Sequence, residues 1–288
     1  MNKEKSLGII LATLAAILFG VSSITAKYAY GAGGNTFSVT LVRNMISLPL
    51  LAIMAKMKGT SLKVEKKYIK PLLLIGLFGG CLTALGLYSA YKYISVGLTL
   101  CLHYCYPALV VLIFKIFYKE KIGLKKSIAL VLSLVGIWII SFAASDVNII
   151  GVIIALGSGL AYAFYLLVMD KSGIRALGGL TISFYNTLFA SVYLFIANLL
   201  FTGGDFSGIT LSVLPWIAAT GFLVACLGNS LVPEAVKRVG PTTTGILGIL
   251  EPCSSVFLCA WVLGDPLPSG SALGAVMILV SAVILATE

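Results

Sequence analysis

The sequence predicts an all-α integral membrane protein: ten transmembrane helices as two inverted five-helix repeats, with both termini cytoplasmic. Three observations carry that prediction: an apolar composition, a one-sided distribution of positive charge, and an internal repeat. Hydrophobic residues make up 59% of the 288 and charged residues only 10%, with a mean hydropathy of +1.07. A soluble domain of this length needs a far more polar surface. Crossing about 30 Å of hydrocarbon takes about 20 apolar residues in a helix. Ten stretches qualify: 7–26, 36–55, 71–91, 96–117, 126–144, 149–169, 180–201, 211–233, 241–263 and 270–286. The apolar run from Leu7 to Ala26 exceeds a signal-peptide core of about 7–15 residues, so the first span is expected to be retained.

Charge supplies the orientation. The net charge of +10 would suggest nucleic acid in a soluble protein, but its placement excludes that reading here. If the N-terminus lies inside, 17 of the 20 basic residues fall on inner segments, leaving Lys27 and Lys92 outside and Arg43 within the second span. Positive charge stays cytoplasmic during insertion, which puts both termini inside. The basic surplus is thus a topology signal, with a secondary attraction to anionic lipids.

The repeat sets the architecture. At a constant offset of 145, residues 90–120 align with 235–265: Ala90 with Ala235, Lys92 with Lys237, Thr99 with Thr244, Leu102 with Leu247, Pro107 with Pro252 and Val111 with Val256. Each stretch ends on an acid, Glu120 and Asp265. Near an offset of 143 the first span resembles the sixth, and Arg43 falls opposite Asn186. Five spans per repeat is an odd number, so the second half enters the membrane inverted relative to the first. Inverted halves can exchange roles and expose one site to either side, the design of many secondary transporters.

These residues resemble the EamA family of the drug/metabolite transporter superfamily. The matching stretches are Tyr93-Ile-Ser-Val-Gly97 through Pro107 to Glu120, and Val239-Gly-Pro-Thr-Thr243 through Glu251-Pro252 to Gly264-Asp265. The resemblance covers essentially the whole chain and divides it into repeats at 1–146 and 147–288. It departs from the family pattern where Tyr-Lys-Glu120 stands for Leu-Gly-Glu and Asp265 for Glu. The resemblance implies secondary transport of small organic molecules, often export of amino acids, amines or other metabolites.

Two charges lie inside the spans. Glu251 is ten residues beyond Pro241, about 15 Å into the layer, where a charge costs at least about 2.5 kcal/mol. It reads either as a substrate-amine anchor and proton-coupling group, or as a structural acid that locks its helix to neighbours. Arg43 is a candidate for a substrate carboxylate, or a side chain that snorkels outward. Should both face one cavity, a zwitterion is the matching substrate; should Arg43 face outward, an organic cation is.

The polar residues follow. His103, the only histidine, is a second proton-coupling candidate, against a packing role. Asn186 and Asn229 serve as substrate contacts or as glue between helices. Tyr88, Tyr162 and Tyr165 are candidate cavity walls, able to hold an ammonium group over an aromatic face. Pro107 and Pro252 are expected to kink their helices, each removing a hydrogen bond to the carbonyl four residues back. All six cysteines lie in spans as small apolar residues. In Cys101-Leu-His103-Tyr-Cys105 the histidine points away from the cysteine face, so no metal site is expected. The Lys-Ser/Thr of a P-loop is missing, leaving direct ATP drive without support.

The expected protein is therefore a secondary-active exporter of amino acids or related amines in a prokaryotic plasma membrane, working by alternating access. It is expected to need no cofactor, to take a small-molecule substrate and protons as partners within the bilayer, to bind no nucleic acid, and to act as a monomer or homodimer. Uptake of a choline-like organic cation is the alternative. An intramembrane enzyme is the remote one, since His103 has no nucleophile motif beside it.

Overall fold

The computed structural model describes residues 3–31, 35–90, 92–94, 96–119, 122–141, 148–264 and 270–286. Every regular element among them is helical, because a chain in lipid must satisfy its backbone polar groups internally. The α-helices run in order α1 (Lys3–Gly31), α2 (Thr36–Met57), α3 (Lys66–Ile75), α4 (Thr83–Ala90), α5 (Val96–His103), α6 (Tyr106–Tyr118) and α7 (Leu124–Ser141). They continue with α8 (Ile149–Lys171), α9 (Gly179–Thr202), α10 (Leu214–Gly221), α11 (Asn229–Gly248), α12 (Leu250–Leu263) and α13 (Ser271–Ala286). Among the described residues, six helical stretches are long and apolar enough to cross a membrane, and shorter apolar helices accompany them. The acids Glu120 and Asp265, which close the aligned stretches, lie outside the described residues.

Local chemistry sets the helix ends. The side chain of Asn35 accepts from the Ser38 N–H at 2.8 Å at the start of α2, and that of Asn148 from Ile150 N–H at 2.9 Å at the start of α8; both are N-caps of the usual kind. Gly240 sits at φ 78, ψ 167 inside α11, a conformation open to glycine, and Pro241 restarts the helix with φ already set. Two turns of π-helix join neighbours into single rods: Gly76–Leu82 between α3 and α4, and Phe222–Gly228 between α10 and α11. Their displaced carbonyls find side-chain donors. Thr83 Oγ1 donates to Phe78 O at 2.7 Å, and Ser230 Oγ to Cys226 O at 2.8 Å.

The prolines do more than kink. The expected span 96–117 is interrupted at Tyr104–Cys105, and 241–263 at Ile249. Each break falls just ahead of its proline, Pro107 in the first turn of α6 and Pro252 in the first turn of α12. A proline there lacks an N–H that would have had no intrahelical partner anyway, so the chain stops one helix and starts another.

Helix contacts are close because lipid supplies no hydrophobic drive between helices, and small residues let backbones approach. Helix α7 packs along α13 and α2 along α9; α1 lies against α11 and α12, while α8 lies against α4, α5 and α6. The first π-helical turn leans on α9, where Gly76 faces Phe189 and Ala190, and Gly80 faces Ala190 and Asn186. Just ahead of the second, Gly221 at the end of α10 faces Ser47 and Arg43 of α2. At one end an ion network ties three helices. Arg238 Nε meets Glu4 of α1 at 3.2 Å, Arg238 Nη1 meets Glu234 at 2.5 Å, and Glu234 Oε1 accepts from Gly179 N–H of α9 at 3.0 Å.

Candidate functional site

Both helix breaks, both π-helical rods and the middles of α1, α2, α8 and α9 border one cavity of about 140 Å³. Arg43, Tyr88, His103, Tyr162, Asn186, Asn229 and Glu251 all line it. Seven of the eight candidate side chains, scattered over 208 positions from Arg43 to Glu251 in the chain, therefore meet around one space.

Glu251 stands in the first turn of α12, where the free N–H groups and the positive end of the helix dipole favour a carboxylate. Its side chain is hydrogen-bonded with Tyr104, and Ser254 Oγ donates to its backbone carbonyl at 2.9 Å. Gly20 of α1 packs onto this turn, since a Cβ there would meet Ser254 and the Glu251 carbonyl. Across the space Tyr106 donates its hydroxyl to Gly245 O at 3.1 Å, between the two interrupted helices. The opening of α6 thus fastens onto the last turn of α11.

An aromatic wall surrounds the carboxylate. The Tyr106 and Tyr162 rings meet edge-on at 4.6 Å between centroids, and His103 lies 5.2, 5.6 and 6.0 Å from Tyr104, Tyr106 and Tyr162. The Ser158 hydroxyl donates to Ala155 O at 2.7 Å. Its proton is therefore engaged when His103 Nδ1 approaches its oxygen at 2.8 Å. With the hydroxyl proton on Ala155 O, Nδ1 is the donor and Nε2 is left as an acceptor; this is the tautomer assigned from the hydrogen-bond pattern.

Arg43 and its neighbour Asn44 occupy α2, both buried and both lining the cavity. The Arg43 carbonyl accepts from Ser47 Oγ at 2.7 Å, and its side chain stem passes against Gly221. On α9, Asn186 is 3% exposed, and its buried Oδ1 has no hydrogen-bond partner among the described residues. Such an amide costs about 1–3 kcal/mol until something satisfies it. Asn229 lines the cavity half-buried, next to the second π-helical turn.

Tyr165 differs from expectation. It is 3% exposed and not among the lining residues. Three positions beyond Tyr162 on α8, it turns its ring onto Gly79 and lies 5.3 Å from Tyr162, a backing residue. Sequence reasoning missed Tyr104, Tyr106, Asn44, Thr83, Thr187 and Thr244, all on the cavity wall. A signal existed for Tyr106: it stands one residue before Pro107 as Glu251 stands before Pro252. No group of three His, Cys, Asp or Glu close enough to hold a metal occurs among the described residues.

Comparison with known proteins agrees with this architecture. The EamA-like transporter family matches the chain twice, over residues 6–142 and 149–287. An uncharacterized transporter of Clostridium kluyveri is 25% identical over 96% of this chain and 92% of its own. The threonine/homoserine exporter RhtA of Salmonella typhimurium is 27% identical over 80% of this chain and 74% of its own. A solved crystal structure shares the fold with a TM-score of 0.81 at 17% identity, covering 97% of this chain and 96% of the other. The chain is thus a multi-pass cell-membrane transporter and not an enzyme, and it belongs to the EamA-like transporter family of the drug/metabolite transporter superfamily.

Proposed function

We propose that this transporter exports a small zwitterion of the amino-acid class by alternating access of two inverted five-helix repeats, 1–146 and 147–288, with both termini cytoplasmic. One observation carries the substrate class: Arg43 and Glu251 line the same cavity. Between them they offer a site for a carboxylate and a site for an ammonium group, with net charge near zero. The cavity, about 140 Å³, matches one that takes benzene at about 150 Å³, so the substrate has few heavy atoms. The likeness to a threonine/homoserine exporter supports the same class. A choline-like cation gains nothing from Arg43.

The reciprocal packing supports the repeat. Exchanging the halves turns α1 against α11 and α12 into α8 against α4, α5 and α6, and leaves the pairs α2–α9 and α7–α13 on themselves. Gly76 on α9 and Gly221 on α2 exchange likewise. In this reading Arg43 holds the carboxylate end, Glu251 with the rings of Tyr162 and Tyr88 holds the ammonium end, and Asn186 Oδ1 accepts from a substrate N–H or O–H. Glu251 also carries the coupling proton, with His103 Nε2 as a second acceptor on that wall, and Asn229 faces the substrate from the same repeat as Glu251.

Thermal stabilisation of the purified protein tests the proposal. Threonine and related amino acids should stabilise the native protein but neither Glu251→Gln nor Arg43→Gln. Stabilisation by quaternary ammonium compounds that survives Arg43→Gln, with none by amino acids, would replace this reading by cation transport.

A further inference from the structure

A second recess lies on the surface of the molecule, between α6 and α7. It is a groove of about 850 Å³ bordered by Ala108, Val111, Leu112, Lys115, Lys119 and Ser127, with Ile122 in the turn. Its chemistry is graded along its length. Lys115 lies in the last turn of α6 and Lys119 is the left-handed residue that ends it; both border the groove and both are exposed. From them the wall turns wholly apolar toward Ala108. Residues 108 to 119 cover about 17 Å of helix at 1.5 Å per residue, with cations at one end and aliphatic surface at the other.

We propose that this groove is a binding site for one anionic phospholipid of the leaflet at the lysine-rich end of the protein. The two ammonium groups take the phosphate, and an acyl chain runs past Leu112 and Val111 to Ala108. Charge complementarity selects this occupant: a zwitterionic lipid brings its own cation to the same two lysines, and a soluble anion leaves the apolar length unfilled. Ser127 adds a preference within the anionic class. Its hydroxyl proton goes to Gly123 O at 3.2 Å, so its oxygen is left to accept from a headgroup hydroxyl such as that of phosphatidylglycerol. The neighbouring Lys171 contrasts with these two lysines. It is engaged with Asp170 at 3.2 Å and sits over the rings of Phe114 and Tyr118 at 4.7 and 4.5 Å, and it does not border the groove.

The test is lipid retention by the full-length, detergent-purified protein, titrated with phosphatidylglycerol or phosphatidylcholine and read by native mass spectrometry. The wild type should bind one phosphatidylglycerol in preference to phosphatidylcholine. Lys115→Gln with Lys119→Gln should weaken it by roughly thirtyfold, at about fivefold per lysine near an anionic lipid surface. Ala108→Phe, which fills the apolar end without touching charge, should weaken both lipids. Lys66→Gln with Lys67→Gln removes the same charge at the start of α3, outside the groove, and should leave binding within twofold. Equal losses in the two double variants would reduce the effect to diffuse attraction and overturn the site. So would an absence of preference for phosphatidylglycerol, or insensitivity to Ala108→Phe.

Discussion

Replacing Arg238 by glutamine should loosen the end of the molecule where its ion network ties three helices. The guanidinium joins α1 through Glu4, braces Glu234 on its own helix, and through Glu234 reaches the first turn of α9 at Gly179. The Glu4 arm is 71% exposed and contributes about 0–1 kcal/mol in water and salt. The Glu234 arm is more enclosed, with the two side chains 20% and 27% exposed, and a charge-assisted bond of that kind contributes about 1.5–3 kcal/mol before screening. With solvent discounted, Arg238→Gln should destabilise the closed end by about 2 kcal/mol, a shift of roughly thirtyfold in the population of the open form. Cys226 is the natural reporter. It is fully buried and borders the recess beside this network, together with Gly179 and Glu234. In a background where the other five cysteines are replaced, maleimide labelling of Cys226 should accelerate by an order of magnitude or more. Labelling follows the open population when opening and closing are fast. Cys81 in the other π-helical turn, kept alone in a parallel background, should not change. An unchanged Cys226 rate, or an equal rise at Cys81, would refute the reasoning.

Two other predictions concern the helix breaks and the loop beyond α9. Tyr106→Phe removes the hydroxyl that bonds Gly245 O and leaves that carbonyl unsatisfied in the interior. It should lower stability by about 1–3 kcal/mol, seen as a drop in thermal midpoint that Tyr118→Phe, on the exposed end of α6, does not reproduce. Asp205 caps its loop by accepting from Ser207 N–H at 2.9 Å and tethers Asn35. The Ser207 backbone and hydroxyl, then the Asn35 amide, hold its carboxyl below the usual carboxylate range. A depressed pKa means the tether is at full strength above the unfolded value and is lost as pH falls through the folded one. Protection of the Ser207 amide, corrected for the intrinsic exchange rate, should therefore fall under acid in the wild type, while Asp205→Ala should lack that protection at every pH.

How much of this was legible depended on what kind of physics each feature obeys. The spans were readable because lipid admits little but apolar helix, so composition alone places α1, α2, α8 and α9 within a few residues. The proposed equivalence of the halves rests in the sequence on Pro107 and Pro252, and the alignment continues beyond them. At the same offset of 145, Gly76 meets Gly221, Cys81 meets Cys226 and Leu82 meets Leu227; these lie in the two π-helical turns, apart from Gly221, which immediately precedes the second. Tyr104 was not readable. A tyrosine in an aromatic-rich helix carries no mark of the carboxylate it touches, 147 positions away.

The pattern of hydropathy and charge along the chain determined that this protein lives in a membrane, roughly where it crosses, and that Arg43 and Glu251 need company there. Those are local properties, set by the free energy of each segment in lipid, and a sequence states them directly. Whether the two charges share a cavity, that Tyr165 backs the wall while Tyr162 lines it, and that the prolines end helices rather than bend them were decided only in three dimensions. Each depends on which faces of separate helices meet, and that is fixed by close packing of small residues such as Gly20, Gly79 and Gly221, whose partners lie far away in the chain.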